Sequence, residues 1–178
     1  MPRVKVGIEG ISPLMMHRYP MEEIKALDKK PAEEQAEIAA HRNKETEELF
    51  IPGEAIQRAL INAAVYSKGK GRASLQKPAA ACLMVTPLEV GLGTKNYIVD
   101  SRAVVMPSTK GRIVRHRPKL ENWKCSFEIE WDEELLNEEQ VRKIVEDMGK
   151  RVGLLEFSPR CKGPYGRCKI ADWKMIKD

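Results

Sequence analysis

The residues with the greatest chemical potential gather near the end of the chain. Gly153, Gly163 and Gly166, with Pro164 and Tyr165, make a stretch in which backbone amides can approach a ligand, and Arg160, Lys162, Arg167 and Lys169 surround it. Amides set among guanidinium and ammonium groups suit a phosphate backbone. The stretch is neither a dinucleotide fingerprint nor a P-loop: G-x-G-x-x-G and G-K-[ST] are absent, and it follows a helical pattern and precedes a strand. A second cluster lies at residues 111–119. Read with a period of two, Arg115 and Arg117 share one strand face with Ile113, while Arg112, Val114 and His116 share the other. Such alternating arginines form a ladder that can follow a phosphate chain, with Lys119 extending it. In a third segment, residues 67–77, Lys68, Lys70 and Arg72 stand between glycines with no acid, as in a flexible phosphate clamp. Tyr97 and Tyr165 are candidate platforms for base stacking. Each segment alone also reads as ordinary structure: a turn, a solvated loop, a tyrosine at the edge of a core.

Catalysis requires acid and base held together, and here they are scattered. His17 follows the first strand, His41 lies in a charged helical stretch, and His116 stands in the arginine strand. An acid–base pair of His17 or His116 with Tyr66 is open, although no spacing compels it. Cys82, Cys125, Cys161 and Cys168 contain no C-x-x-C pair, so reduced thiols are expected, with no metal and no cofactor.

Charge distribution points at the partner. The net charge of +5 on 178 residues is segregated: residues 53–120 carry twelve Lys/Arg against three Asp/Glu, whereas the segments before and after are each −2. A concentrated positive region is what a polyanion selects, because each neutralised phosphate releases a counterion. Aromatic content of 6% means a core built from Val, Ile, Leu, Ala and Met. With no long apolar run, the expectation is a cytoplasmic protein, in a prokaryotic cell or a phage-infected host, that does not engage membranes.

The elements that must position these residues follow from periodicity. Val4, Val6 and Ile8 alternate with polar positions, a half-buried strand. Residues 21–49 read as a weakly amphipathic, solvated helical insertion that packs loosely, with a helix start at Pro31. From Pro52-Gly53 a better helix runs, with Ile56, Leu60, Ala63 and Ala64 on one face. Residues 79–90 fit a buried strand or a short helix equally. Residues 97–106 and 112–117 read as strands, and Trp123, Cys125, Phe127, Ile129 and Trp131 mark the cleanest one. Asn137 caps a helix whose Val141, Ile144, Val145, Met148 and Val152 share a face, and a short strand at residues 168–173 ends the chain. This order predicts a single α+β domain: a ferredoxin-like antiparallel sheet with helices on one face, elaborated by insertions.

Two resemblances add to this reading. Phe50-Ile51-Pro52-Gly53-Glu54-Ala55-Ile56-Gln57-Arg58-Ala59-Leu60 resembles the proline–glycine helix start of the RAMP superfamily, which supplies backbone and processing subunits to CRISPR effector complexes. The stretch 153–167 resembles that superfamily's C-terminal glycine loop, although it reads Gly153-Leu154-Leu155 where a second glycine is often found. The segments Ser12-Pro13-Leu14-Met15-Met16-His17 and Arg115-His116-Arg117-Pro118 are similar to a group of small phage and prophage proteins. The phage-type likeness spans nearly the whole chain and the RAMP likeness about a third of it. The RAMP resemblance implies an RRM-like ferredoxin fold that binds single-stranded RNA along a basic face, as a homo-oligomer or among effector-complex subunits. Only Pro52, Gly53, Gly153, Gly163, Gly166 and Arg167 carry it residue by residue.

The expected function is therefore non-enzymatic binding of single-stranded RNA or DNA. Lys68, Lys70, Arg72, Arg112, Arg115, Arg117, Lys119, Arg160, Lys162, Tyr165 and Arg167 are the contacts. Two alternatives stand beside it: a metal-independent endoribonuclease of RAMP type using His17 or His116, and a protein-interaction module that docks on or mimics a host complex through the acidic helix at residues 33–48.

Overall fold

The computed structural model describes residues 1–24 and 26–177. Its centre is a four-stranded antiparallel sheet in the order β4-β8-β1-β9, made of β1 (Arg3–Gly10), β4 (Met84–Thr86), β8 (Lys124–Glu130) and β9 (Cys168–Ile176). Helix α2 (Gly53–Ala63) lies between β1 and β4 in the chain, and α4 (Glu138–Asp147) between β8 and β9. That succession and strand order make a ferredoxin-like core, in line with the expected α+β class.

The alternation in β1 does what periodicity requires. Val4, Val6 and Ile8 are buried opposite Ile129, Phe127 and Cys125 of β8. Ile56, Ala59, Leu60 and Ala63 of α2 and Val141, Ile144 and Val145 of α4 join the same apolar cluster. Each large apolar side chain fully buried there contributes about 1.5–3 kcal/mol. Helix α4 starts at a capping box, in which the Asn137 side chain accepts from the Gln140 amide at 2.9 Å and the Gln140 side chain accepts from the Asn137 amide at 2.9 Å.

Two insertions build a second layer. The one after β1 contains β2 (Leu14–Met15), α1 (Ala32–Ala39) and β3 (Phe50–Pro52). The one after β4 contains β5 (Glu89–Gly91), which pairs with β3, and the long hairpin of β6 (Ile98–Val105) and β7 (Arg112–Leu120). β2 adds to the other side of β7, giving a β2-β7-β6 sheet.

Here the structure departs from the expectations. Among the described residues of 21–49, helix is confined to the eight-residue α1 and a single 3₁₀ turn, Leu27–Lys29, rather than running through the segment. Nor does α1 pack loosely: Gln35, Ala36 and Ala39 are buried, and the helix lies against β7. Alanines supply a close-packed face while contributing little hydrophobic contrast, so periodicity understates it. Residues 79–90 divide into the end of α3 (Gln76–Cys82), β4 and β5, so both alternatives are present in turn. β7 and β9 run three residues further than expected, each prolonged by pairing with a neighbour.

Candidate nucleic-acid interface

Hairpin register decides which cations share a face. Asp100 pairs with Arg117, Arg102 with Arg115 and Ile98 with Lys119, so these side chains project from one face of the hairpin, as the period-two reading of Arg115 and Arg117 requires. The glycine-rich segment closes against that face. The Arg102 Nη2 donates to the Tyr165 hydroxyl at 3.0 Å, and the guanidinium lies 4.8 Å from the Phe157 ring centroid and 5.2 Å from that of Tyr165. Lys119 Nζ stands 5.9 Å from the same Tyr165 ring, and Arg117 lies 3.6 Å from Glu156. Arg102 also holds Asp100 bidentately at 2.6 and 3.0 Å, which keeps that carboxyl below its usual range. The His17 ring and the Arg117 charge lower the Glu156 carboxyl in the same way, while burial lowers Arg117 itself.

The three glycines serve the loop rather than an external ligand. The Gly153 amide donates to Met148, that of Gly163 to Ser158 and that of Gly166 to Pro13, at 2.8, 3.0 and 2.8 Å. Gly166 has φ +74°, and a Cβ there would stand 2.0 Å from the Leu154 carbonyl oxygen, so no other residue fits without rearrangement. Leu155, Phe157 and Lys162 also have positive φ, at 60°, 55° and 63°. Non-glycine residues in this region are strained, and they cluster at functional segments. With the amides engaged, the loop presents side chains instead: Arg160, Lys162 and Arg167 are exposed and form no ion pair among the described residues. Lys110 and Arg112, toward the hairpin tip, are likewise exposed and form no ion pair among the described residues.

The remaining expected sites lie elsewhere. Lys68, Lys70 and Arg72 are exposed beside α4, where Lys68 helps line a cleft of about 550 Å³ with Tyr66, Glu139, Arg142 and Glu146. Among the described residues no hydrogen bond or ion pair joins that loop to the hairpin or the glycine segment. Tyr97 is held on the insertion, its hydroxyl donating to Glu37 at 2.7 Å and its ring facing Arg42, and burial pushes its pKa up to about 12. It is a strut rather than an open stacking surface. Tyr66 lies under Arg151 beside α4 and is not among the residues around His17 or His116.

Those two histidines do share a site. A cavity of about 180 Å³ between α1 and β7 is lined by His17, His116, Arg115, Arg117, Arg18 and Gln35, among others. The His116 Nδ1 lies 2.6 Å from the Ser101 hydroxyl, and His17 Nδ1 lies 3.4 Å from Glu156. His41 is outside this group; burial, helped by Arg18 and His17, pushes its pKa down to about 4.

Arg102, Arg18 and Gln35 were not among the expected site residues. The first was legible, standing at an alternate position of a strand beside an arginine-bearing one. The other two were not, because only tertiary packing brings residues 18 and 35 to β7.

No protein-family model matches the chain, and no curated protein matches it. Among solved structures it resembles a chain in the cryo-EM structure of the Type III-B Cmr-beta bound to cognate target RNA, with a TM-score of 0.58 and 12% sequence identity. The likeness covers 99% of this chain and 61% of that one, so the protein spans about three fifths of its neighbour's length. It establishes the fold, a ferredoxin-like core elaborated by insertions. No helix among the described residues is long and apolar enough to cross a membrane, and none of their His, Cys, Asp and Glu side chains form a group of three or more suited to a metal ion.

Proposed function

We propose that the protein binds single-stranded nucleic acid, RNA before DNA, through its phosphate backbone, as a subunit of a CRISPR-type effector assembly. One observation carries this reading. Residues 98–120 and 153–167 contain nine Lys/Arg against two Asp/Glu, and the Arg102–Tyr165 contact holds the two segments together. Asp28 and Glu121 from neighbouring segments add ion pairs to Arg115 and Lys119, yet five of the nine are exposed and unpaired among the described residues. A strand of phosphates supplies the missing anions, and counterion release supplies the driving force. The fold likeness to a chain of an RNA-bound Cmr-beta supports RNA and a multi-subunit setting. The phage-protein resemblance fits a mobile-element source for such a subunit.

Fluorescence anisotropy with labelled single-stranded RNA and DNA, across a salt series, tests the reading. Affinity is expected to fall linearly on logarithmic axes with a slope near −0.7 per phosphate contact, about −3 for four contacts. Absent binding at low salt, or binding indifferent to salt, refutes it.

A second reading, metal-independent cleavage of RNA, is favoured by the meeting of His17 and His116 with Arg115 and Arg117 around one cavity. Incubating the protein with end-labelled RNA in EDTA separates the two: a pure binder leaves the RNA intact, and an endoribonuclease yields discrete products that His17→Ala and His116→Ala remove.

A further inference from the structure

The sheet edges of the molecule are guarded unequally. A strand without a neighbour on one side offers free amides and carbonyls to any extended chain, and natural proteins blunt such edges by shortness, charge or irregularity. β2, β3, β4 and β5 each span only two or three residues. β9 is long, but Lys169, Asp172 and Lys174 stud it, and its register slips opposite Gly7 and Ile8. β6, the outer strand of the β2-β7-β6 sheet, has none of these devices. It runs for eight residues in unbroken register with β7. Its two charges, Asp100 and Arg102, bind each other, while Ile98 and Val105 are 48% and 59% exposed.

Hydrogen bonds beside the strand show which of its groups are free. The Met106 amide donates to Gly111 at 2.8 Å, one step beyond the Val105–Arg112 pair. On the far side of β7 the Met16 amide donates to Pro118 at 3.0 Å. Antiparallel ladders alternate, so Ile98, Asp100, Arg102 and Val104 bond to β7. Val99, Ser101, Ala103 and Val105 then turn their amides and carbonyls outward, where no other element among the described residues meets them. The strand is also self-complementary in charge. Set antiparallel to a second β6 about Ser101, it places Asp100 opposite Arg102 in both directions, Val99 opposite Ala103 and Ile98 opposite Val104. The outward-facing residues then meet one another in hydrogen-bonded pairs. Asp100 and Arg102 fall in the intervening pairs, where side chains stand closer. The arginine has the capacity: Nε and Nη2 serve Asp100 and Tyr165, and Nη1 has no partner among the described residues. Within one copy Arg102 faces Arg115 across the ladder, a like-charge pair that an acid on its open side relieves.

We infer that β6 is a dimerisation edge: two copies of this chain pair β6 with β6 about a two-fold axis at Ser101, joining their three-stranded sheets into one. The contact is isologous and closes on itself, so association stops at two copies rather than running into a filament. The axis stands perpendicular to the joined sheet, so the same faces of both hairpins lie on one side of it. The inference stands apart from the strand-binding reading and needs no nucleic acid.

Sedimentation equilibrium of the nucleic-acid-free protein, from about 1 to about 100 μM, is the test, since dimerisation follows mass action. The mass is expected to rise from 20.2 kDa to twice that value and no further. Ala103→Pro removes an outward amide and spares the bonds to β7, as proline does on an edge strand. It should hold the protein monomeric across the range with an unchanged thermal melt. Register is read by disulfide trapping in a Cys161→Ser background. In Ser101→Cys the thiol sits on the axis, with Cα atoms about 5.5 Å apart, and should cross-link under mild oxidation. In Ala103→Cys the two copies' thiols are more than about 13 Å apart along the strands and should not. Should Ala103→Pro fail to fold, the trapping alone decides. Growth beyond two copies, association undiminished in Ala103→Pro, or equal trapping at positions 101 and 103 overturns the dimer. A protein that stays monomeric at the highest concentration overturns it too, and leaves the edge to a strand of another protein or to solvent.

Discussion

On the open face of the four-stranded sheet, cations and acids meet across the strands. Arg3 stands opposite Glu130 and Lys5 opposite Glu128, while Glu9 lies between Lys124 and Lys169, the latter at 3.1 Å. Asp172 and Lys174 complete a face of five cations and four acids, with no aromatic side chain among these positions. On the hairpin and the glycine segment the ratio is nine to two. Strand by strand the two surfaces look alike, since both alternate charged positions with others. Register distributes the charges differently: β8 sets Glu130, Glu128 and Lys124 against Arg3, Lys5 and Glu9, with Lys174 on the other side of Lys5, whereas the hairpin sets Arg102 opposite Arg115 and has one acid, Asp100, opposite Arg117. A ferredoxin-like fold therefore need not use its open sheet face, and in the proposed reading the insertion between β4 and β8 would carry the polyanion site.

Parallel sets of substitutions should break or sharpen that contrast. Replacing Arg112, Arg160, Lys162 and Arg167 together by Gln is expected to weaken single-strand binding at 50 mM salt by at least about 100-fold and to flatten the salt slope by about 3. The same number of replacements on the sheet face, at Lys5, Lys124, Lys169 and Lys174, should change affinity by less than about threefold, since that face is already balanced. Comparable losses from both sets would show that only net charge matters. Next in size is Gly166→Ala, which forces a Cβ against the Leu154 carbonyl at a positive φ and should cost about 2–4 kcal/mol in denaturant unfolding. A matching Gly111→Ala at the exposed hairpin tip should cost well under that.

A pH effect comes third. His41 is held neutral when folded, with its pKa down at about 4, and regains an ordinary value near 6.5 when unfolded. The unfolded chain then binds the extra proton between these values, so stability is full above about pH 6.5 and declines as pH falls toward 4. The loss is on the order of 2 kcal/mol after allowing for the ring's partial exposure. His41→Gln should flatten this part of a melting-temperature profile, and an unchanged profile would count against burial as its cause. Smallest is Tyr165→Phe, which removes the hydroxyl that accepts from Arg102 while keeping the ring. It should lower stability by about 1 kcal/mol and loosen the hairpin against the glycine segment, read by faster amide exchange at Arg102 and Tyr165.

Much of the core was legible because its signals are local. Alternation at Val4, Val6 and Ile8, the apolar stripe of Ile56 and Leu60, and the Asn137 cap each state an element within a few residues, and all three stand in the structure. Residues 79–90 were ambiguous because a continuous apolar run has no period to read, and only Gln57 clarifies it. Its side chain accepts from Val85 at 2.9 Å and donates to Leu83 at 2.7 Å, fixing the break between α3 and β4. The site was legible as composition and not as geometry. Glycine spacing resembled an amide cradle, yet those amides bond to Met148, Ser158 and Pro13, acceptors that a linear reading cannot place.

Local pattern and charge segregation by themselves determined the ferredoxin order of elements, the basic middle third and the shared face of Arg115 and Arg117, since each depends on residues close together in the chain. Tertiary structure alone decided which cations remain available. Arg102 meets Tyr165 across 63 positions, and Gln35 lines one cavity with the arginines of β7, some eighty positions on. Pairing over such separations is set by how the insertions fold back on the sheet, and an electrostatic interaction falls with distance in space, not with distance along the chain.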